Sequence, residues 1–379
     1  MTKTQRKSII SKVKKAVIKI GSSVLTEKDG SLSVGVFDDI ASEVHKLRSN
    51  GIEVVIVSSG AIASGMKKLK LDKKPEDISM KQAIAACGQN SLIGQYERAF
   101  SGYGTNVAQI LLTHAGLTDR KRFLNARKTV LTLLGMGIVP VVNENDTVAF
   151  EEIMIGDNDN LAALVTVLME ADILVMLTDI EGVYNKDPKQ NRDAELITQI
   201  DEIGDDIMNS AGGTMGRATA GGMRTKIEAA GKAAAYGVPT IIASGKIKGE
   251  LSRIFGGVEA GTLFLPSVKS LGSRKHWIAF TLKPSGEVVI DKGAEKAITS
   301  SGKSLLPSGI KGVKGNFGVG DSVSCVDESG AEVARGLTSY SSSDIKKIMG
   351  AKTSQIESIL GYKYSDEVIH RDDLAVISN

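Results

Sequence analysis

Two short polar runs stand out as places where chemistry could be done. NEND (143–146) closes the apolar run GIVPVV, and GDNDN (156–160) opens the apolar run LAALVTVLM. Asn and Asp suit turns because their side chains bond nearby backbone, and Asn158 or Asp159 is placed to cap the helix that follows. Capping explains one residue but not the density. Together the runs gather carboxylates and amides at one expected sheet edge, a composition that suits a small charged ligand. Asp146, following a buried strand, is suited to pair with an ammonium group. Asn158 offers both a donor and an acceptor, as an amino-acid ligand requires. Asp157 or Asp159 is suited to hold lysines in place between charged substrates.

Two other stretches suit phosphate. VIKIGSS (17–23) ends a strand with Lys19, a glycine and two serines. Such a turn exposes N–H groups that cradle phosphate oxygens, and Lys19 adds positive charge. GGTMGRATAGGMRTKIEAAGKAA (212–234) runs a Gly/Thr loop into a helix that begins near Met223. Glycine lets backbone approach a ligand closely, and a helix N-terminus favours an anion. Lys226 falls in the first turn, where a cation opposes the helix dipole, so its placement predicts a negative ligand. Two lysines with a bridging acid form a sensible set for phosphoryl transfer, where positioning and charge neutralisation dominate.

The elements that must position these residues alternate. From about residue 14 to 265, the strand candidates KAVIKI, VVIVSS, VAQILLT, IVPVVN, DILVMLTD and VPTIIAS are separated by helical patterns at 34–50, 79–100, 119–134, 159–170 and 223–236. Continuous apolar strands with helical crossovers predict a mostly parallel sheet covered on both faces. Ligands of such sheets sit beyond the carboxyl ends of the strands. GSS, SSGA, NEND and TD each follow a strand candidate, so four independent strand ends carry small or polar residues. After residue 266 the texture changes. SVKSLGSRKH reads as a linker, followed by short segments with Gly turns, a small β-rich domain and a short helix at DIKKIMG.

Composition bounds the function. With 379 residues, the chain exceeds one ordinary core and suggests two domains. A net charge of +3 predicts no strong attraction to nucleic acid or membrane. No apolar run is long enough to span a bilayer, and the basic stretch MTKTQRKSIISKVKK lacks a signal-peptide core and reads as a solvated tail. Cys87 and Cys325 lie far apart with no C-x-x-C, which predicts a reducing, cytoplasmic setting. His45, His114, His276 and His370 show no metal-binding spacing. Three near-matches fail. SGKS (301–304) lacks the earlier P-loop glycine, having Ala297 there. GAIASGMKK has Met66 in place of the lysine. HRDDL (370–374) sits at the C-terminus with no DFG or APE after it.

VIKIGSSVL, VVIVSSGAIASG, RFLNARKT, VPVVNENDTVA, GDNDNLAALV, LTDIEGVYNKDP and GGMRTKIEAA, in this order, resemble the glutamate 5-kinase family within the amino-acid kinases. The resemblance runs from about residue 14 to the C-terminus, where GNFGVGDSV and ILGYKYSDEVIHRDDL are similar to bacterial forms with a PUA domain. It implies a three-layer α/β/α sandwich with a mostly parallel sheet over residues 1–266. Residues 267–379 would hold a linker, a PUA-like domain and a tail. It implies ATP- and Mg²⁺-dependent phosphorylation of the L-glutamate side chain, the first step of proline biosynthesis, with proline as feedback inhibitor. Carried over by motif, Lys19 and Lys226 would stabilise the phosphoryl group, with Asp159 organising them. Ser59, Gly60, Asp146 and Asn158 would hold glutamate. Thr178, Asp179 and the loop Ala220, Gly221, Gly222, Met223, Arg224, Thr225 and Lys226 would contact ATP together with Lys19. No metal ligand among the protein side chains is implied. The family usually has Thr where this chain has Ala220, which leaves the nucleotide contact to the glycine backbone and Lys226.

A glutamate carboxylate, with an unperturbed pKa of about 4.3, is an ionised nucleophile at neutral pH. No general base is needed, in keeping with the lack of a Ser–His or His–Asp pair. The same fold with aspartate, acetylglutamate, carbamate or a nucleotide as acceptor is the alternative that two lysines cannot separate. The resemblance also implies a homo-oligomer, a dimer or tetramer, and makes a glutamyl-phosphate reductase a plausible partner. PUA domains commonly bind RNA. From residue 274 onward, however, 14 Lys+Arg stand against 13 Asp+Glu, so RNA binding is not expected here. Trp277 reads as core.

Overall fold

Side chains branched at Cβ sit well on a pleated surface covered from both sides, and the six expected runs form strands. The computed structural model describes residues 2–73, 75–148, 157–188, 190–210, 222–266, 275, 278 and 282–377. Its larger sheet contains β1 (Lys15–Ile20), β2 (Glu53–Ser58), β3 (Val107–Leu112), β4 (Val139–Glu144), β5 (Ile173–Thr178), β6 (Gln199–Ile200), β7 (Thr240–Ser244) and β8 (Thr262–Phe264). The order is β3-β4-β2-β1-β5-β7-β8-β6. The first six in that order are parallel. β8 runs antiparallel to β7, and β6 parallel to β8. β5, in the middle, is buried at every residue, while β3 at the edge is only half-covered. The short strands β6 and β8 leave too little periodicity for the sequence to announce them.

The helices are α1 (Thr2–Ile10), α2 (Ser22–Leu25), α3 (Val34–Ser49), α4 (Ala61–Lys68), α5 (Ile78–Ser101), α6 (His114–Thr118), α7 (Arg120–Gly135), α8 (Asp157–Leu168), α9 (Asp205–Ser210), α10 (Met223–Ala235) and α11 (Glu250–Phe255). Strand side chains alternate faces. Ile18, Ile20, Val54, Ile56, Val175 and Leu177 share one core with residues of α3, α5 and α11. Val17, Val55, Leu174 and Met176 are also fully buried, on the face that α8 and α10 cover. Three layers result, as the alternating sequence predicts.

Two glycines set the crossing of α4 and α5. A Cβ on Gly65 would lie 2.0 Å from the Ile84 carbonyl oxygen, and one on Gly88 would lie 1.9 Å from that of Ala61. Backbone packs against backbone there, which only glycine permits. Asp77 starts α5 by accepting the Met80 N–H at 2.7 Å.

The N-terminal stretch is not a solvated tail. It forms α1, with Ile10 buried in the main core. Arg6 is 3% exposed and donates to the Ala260 carbonyl. Its basic composition concealed an amphipathic anchor, because a long arginine buries its stem while its head finds an acceptor.

The chain forms two compact units, residues 1–116 with 124–269, and residues 117–123 with 270–379. The second contains a five-stranded sheet of β9 (Gly286–Ile290), β10 (Ile310–Gly315), β11 (Ser322–Val326), β12 (Glu332–Leu337) and β13 (Leu374–Val376), in the order β10-β9-β11-β12-β13. Val288, Ile290, Val323, Cys325, Tyr340 and Ile345 belong to its core. The helix expected at DIKKIMG is present as Ser342–Ile348, and Ser341 caps it through the Asp344 N–H. SGKS (301–304) begins at the C-terminal end of the helix Lys292–Ser301, the wrong helix end for phosphate. The expected linker, apart from Lys275, and Trp277 lie outside the described residues. Among the described residues no helix is long and apolar enough to cross a membrane.

Candidate active site

The parallel register carries the strand ends to one edge. Ile20 pairs with Ser58 and with Leu177, and Thr178 pairs with Ser244. Backbone bonds tie the exits together: Gly21 N–H to the Leu177 carbonyl at 3.0 Å, Ser59 N–H to Ile20 at 3.1 Å and Gly245 N–H to Thr178 at 2.7 Å.

Lys19 is next to last in β1, and its side chain meets α8 and α10. Its Nζ lies 2.5 Å from Asp159 Oδ1, and Lys226 Nζ lies 3.3 Å from Asp159 Oδ2. Lys19, Asp159 and Lys226 are 4%, 1% and 5% exposed. Burial pushes the Lys19 ammonium below the ordinary lysine range; Asp159 pulls it back and Lys226 lowers it further. Burial alone would raise the Asp159 carboxyl. Lys19, then Lys226, and hydrogen bonds from Lys19 and Thr225 outweigh it and hold the group below the usual carboxylate range. The Thr225 hydroxyl lies 2.8 Å from both Asp159 Oδ2 and the Gly222 carbonyl, its one proton shared between them.

One expectation is corrected here. α8 begins at Asp157, so Asn158 and Asp159 lie inside its first turn, and Asp159 serves the lysines instead of capping the helix. Asp159 bridges the two lysines, and the side chain of Asp157 lies outside the described residues. Lys226 lies in the first turn of α10, as expected, and Asp159 is one negative group beside it. Gly222 starts α10 with no side-chain cap.

Further polar groups follow β2 and β4 and open α8. Asp146 sits in a single 3-10 turn after β4, half-buried. Burial pushes its carboxyl up to about 6, and no described basic side chain is paired with it. The Asn158 amide donates to Asn143 Oδ1 at 3.1 Å, while its own Oδ1 is buried without a hydrogen-bond partner among the described residues. Asn143 donates to Gln89 Oε1 at 2.7 Å and accepts the Glu144 N–H at 2.9 Å. Ser59 is half-buried at the end of β2. Gly60, at φ 103°, opens α4 in a conformation other residues rarely adopt.

Thr178 is buried and donates to Asp179 at 3.1 Å, with Asp179 exposed. Met223 is half-buried, and Arg224 is exposed and paired with Glu228 at 3.0 Å along its own helix. Arg224 therefore does not join the lysine cluster. Ala220 and Gly221 lie outside the described residues. Sequence reasoning did not single out Gln89 or Asn143. Asn143 stood within NEND, whereas Gln89 sits inside a helix with nothing local to mark it. Among the described residues no three His, Cys, Asp or Glu side chains converge to hold a metal. A cavity of about 290 Å³ lies between α3, Leu177 at the end of β5 and residues 245–251. Its acids Asp39 and Glu43 accept N–H groups of Gly249 and Ser252 at the start of α11, a structural task.

The amino acid kinase family model matches residues 14–244, from β1 to the end of β7, and the PUA domain model matches residues 286–360. The chain belongs to the amino acid kinase family. It is a kinase with a C-terminal PUA domain. A glutamate 5-kinase of Geobacter sulfurreducens is 51% identical over 98% of this chain and 100% of that relative. One of Caldanaerobacter subterraneus is 51% identical over 95% of this chain and 97% of the relative. The solved UMP kinase of Bacillus anthracis is 19% identical, covering 67% of this chain and 96% of that one, with a TM-score of 0.47. Within this amino acid kinase, the lysine cluster and the α10 terminus gather positive charge and backbone donors. Positive side chains and helix N-terminal N–H groups are the donor set that phosphate oxygens require.

Proposed function

We propose that the protein transfers the terminal phosphoryl group of ATP to the side-chain carboxylate of L-glutamate, giving L-glutamyl 5-phosphate for proline biosynthesis. The observation that carries this reading is the buried Lys19–Asp159–Lys226 cluster at the strand edge, in a chain about half identical to proteins named glutamate 5-kinase. A glutamate carboxylate oxygen bonds to the γ-phosphorus, the bond from phosphorus to the bridging oxygen breaks, and ADP departs with that electron pair. No proton moves. The barrier is repulsion between anions, which Lys19 and Lys226 offset in a water-poor setting. Asp159 keeps the two ammonium groups apart and aimed. Thr178, Asp179 and the 220–226 segment hold the nucleotide, and Mg²⁺ enters with ATP as part of the substrate. Ser59 and Gly60 hold glutamate, Asp146 takes its ammonium group and Asn158 supports it.

Residues 1–266 act as the catalytic domain and 267–379 as linker, PUA-like domain and tail, in a cytoplasmic homo-oligomer that passes its labile product to a reductase. Proline inhibits by competing at the glutamate site; undiminished activity in saturating proline would remove that part. The deciding assay traps the acyl phosphate with hydroxylamine, with L-glutamate, aspartate and acetylglutamate as acceptors and Lys226→Ala as control. Hydroxamate from glutamate alone, lost in the variant, is the expected result. No signal with any acceptor would sink the kinase reading.

A further inference from the structure

Beyond the residues that touch substrate, three amides form a fixed relay whose outer end is Gln89. The relay can be oriented without ambiguity, because a backbone N–H can only donate. The Glu144 N–H lies 2.9 Å from one side-chain atom of Asn143, which must therefore be its oxygen. The Asn143 amino group then faces Gln89 at 2.7 Å, so Gln89 presents its oxygen. The Asn158 atom 3.1 Å from Asn143 Oδ1 must be its amino group. That leaves Asn158 Oδ1 buried, with no hydrogen-bond partner among the described residues. Gln89 and Asn143 are 9% and 2% exposed, so water does not substitute easily for either bond.

We propose that Gln89 is a positioning residue for amine recognition: by accepting from Asn143 it locks Asn158 with its oxygen turned to the substrate's ammonium group. The inference rests on the glutamate-kinase reading and deepens it, since it turns the Asn158 oxygen to the ligand and commits its amino group to Asn143. The fold supplies the rigidity. Gln89 follows Gly88, whose Cα lies against the Ala61 carbonyl and Gly65 at the crossing of α4 and α5. The height of the Gln89 oxygen is thereby set by backbone-to-backbone packing.

The test compares Gln89→Met, which removes the amide acceptor, with Gln89→Glu, which keeps an oxygen facing Asn143. Hydroxamate formation is measured with L-glutamate and with glutarate, which has the same carboxylates and no amine. Gln89→Met is expected to raise KM for L-glutamate about tenfold, the scale of one buried hydrogen bond, with kcat and KM for ATP within about twofold. The preference for glutamate over glutarate should fall by the same factor, and Gln89→Glu should restore it. If Gln89→Met does not fold, judged by its melting curve, Gln89→Leu takes its place, and the preference retained by Gln89→Glu is read by itself. An unchanged glutamate-to-glutarate preference, an equal rise in KM for ATP, or a Gln89→Glu as impaired as Gln89→Met would overturn the relay. Wild-type protein inactive on L-glutamate would instead sink the functional reading beneath it.

Discussion

Asp159→Asn removes one charge and almost no volume. The carboxylate it replaces lies 2.5 Å from Lys19 and 3.3 Å from Lys226, with all three side chains at most 6% exposed. Breaking a buried pair in this way costs about 3–5 kcal/mol, because the ammonium partners are left buried and uncompensated. The loss has a ceiling. One lysine can shed its proton, and from an unperturbed pKa of about 10.4 that costs roughly 4.6 kcal/mol at pH 7. At pH 9 the same escape costs only about 1.9 kcal/mol. A lysine whose folded pKa is depressed destabilises the fold at pH values below its unfolded pKa, and the penalty shrinks as pH rises towards that value. The melting deficit of Asp159→Asn relative to wild type is therefore expected to be several degrees at pH 7 and clearly smaller at pH 9. Turnover in the hydroxamate assay is expected to fall at least a hundredfold or so, the scale of losing one electrostatic element of a transition state. Circular-dichroism melts at the two pH values and kcat from the trapping assay supply both readouts. A deficit that stays constant or grows with pH, or a kcat within threefold or so of wild type, would refute the charge argument.

Other consequences follow from the same structure. Asp146 is raised to about 6 by burial, and an ammonium ligand needs it ionised. kcat/KM for glutamate is expected to drop about tenfold from pH 7 to pH 5 through this group alone, and Asp146→Asn should flatten that limb at a low value. A pH profile of kcat/KM showing the same limb in the variant would count against it. Gly88→Ala places a methyl 1.9 Å from the Ala61 oxygen and should cost about 3 kcal/mol or more. Gly94→Ala, on the same helix with nothing within 4 Å, should stabilise by about 0.5–1 kcal/mol. Denaturant titration of the pair decides whether the crossing is as tight as the geometry requires. Arg6→Ala removes the buried donor to Ala260 and should cost about 1–3 kcal/mol. Hydrogen exchange should rise first in residues 5–12, and protection there equal to wild type would contradict the anchoring role of α1.

Local patterns carried much of this protein. A strand buried on both faces needs a continuous apolar run, so KAVIKI and DILVMLTD declared β1 and β5 without any knowledge of their neighbours, and the helical periods between them implied the layers. Lys19 and Lys226 were legible for a similar reason: a lysine at a glycine turn and a lysine against a helix dipole are each odd within their own few residues. Tertiary structure alone decided what those oddities meant. Asp159 is 140 positions from Lys19 and 67 from Lys226, and no periodicity reports a contact at that separation. Packing of α8 against β1 and α10 put Asp159 against both ammonium groups. Gln89 looks like any helical glutamine until the crossing at Gly88 brings it to Asn143, and α1 looks like a solvated basic tail until Ala260 offers Arg6 a buried carbonyl. Residue type and local spacing determine which elements form, because backbone and solvent act on each stretch directly. Which polar groups meet depends on how closely those elements approach, and that is settled only when the layers pack.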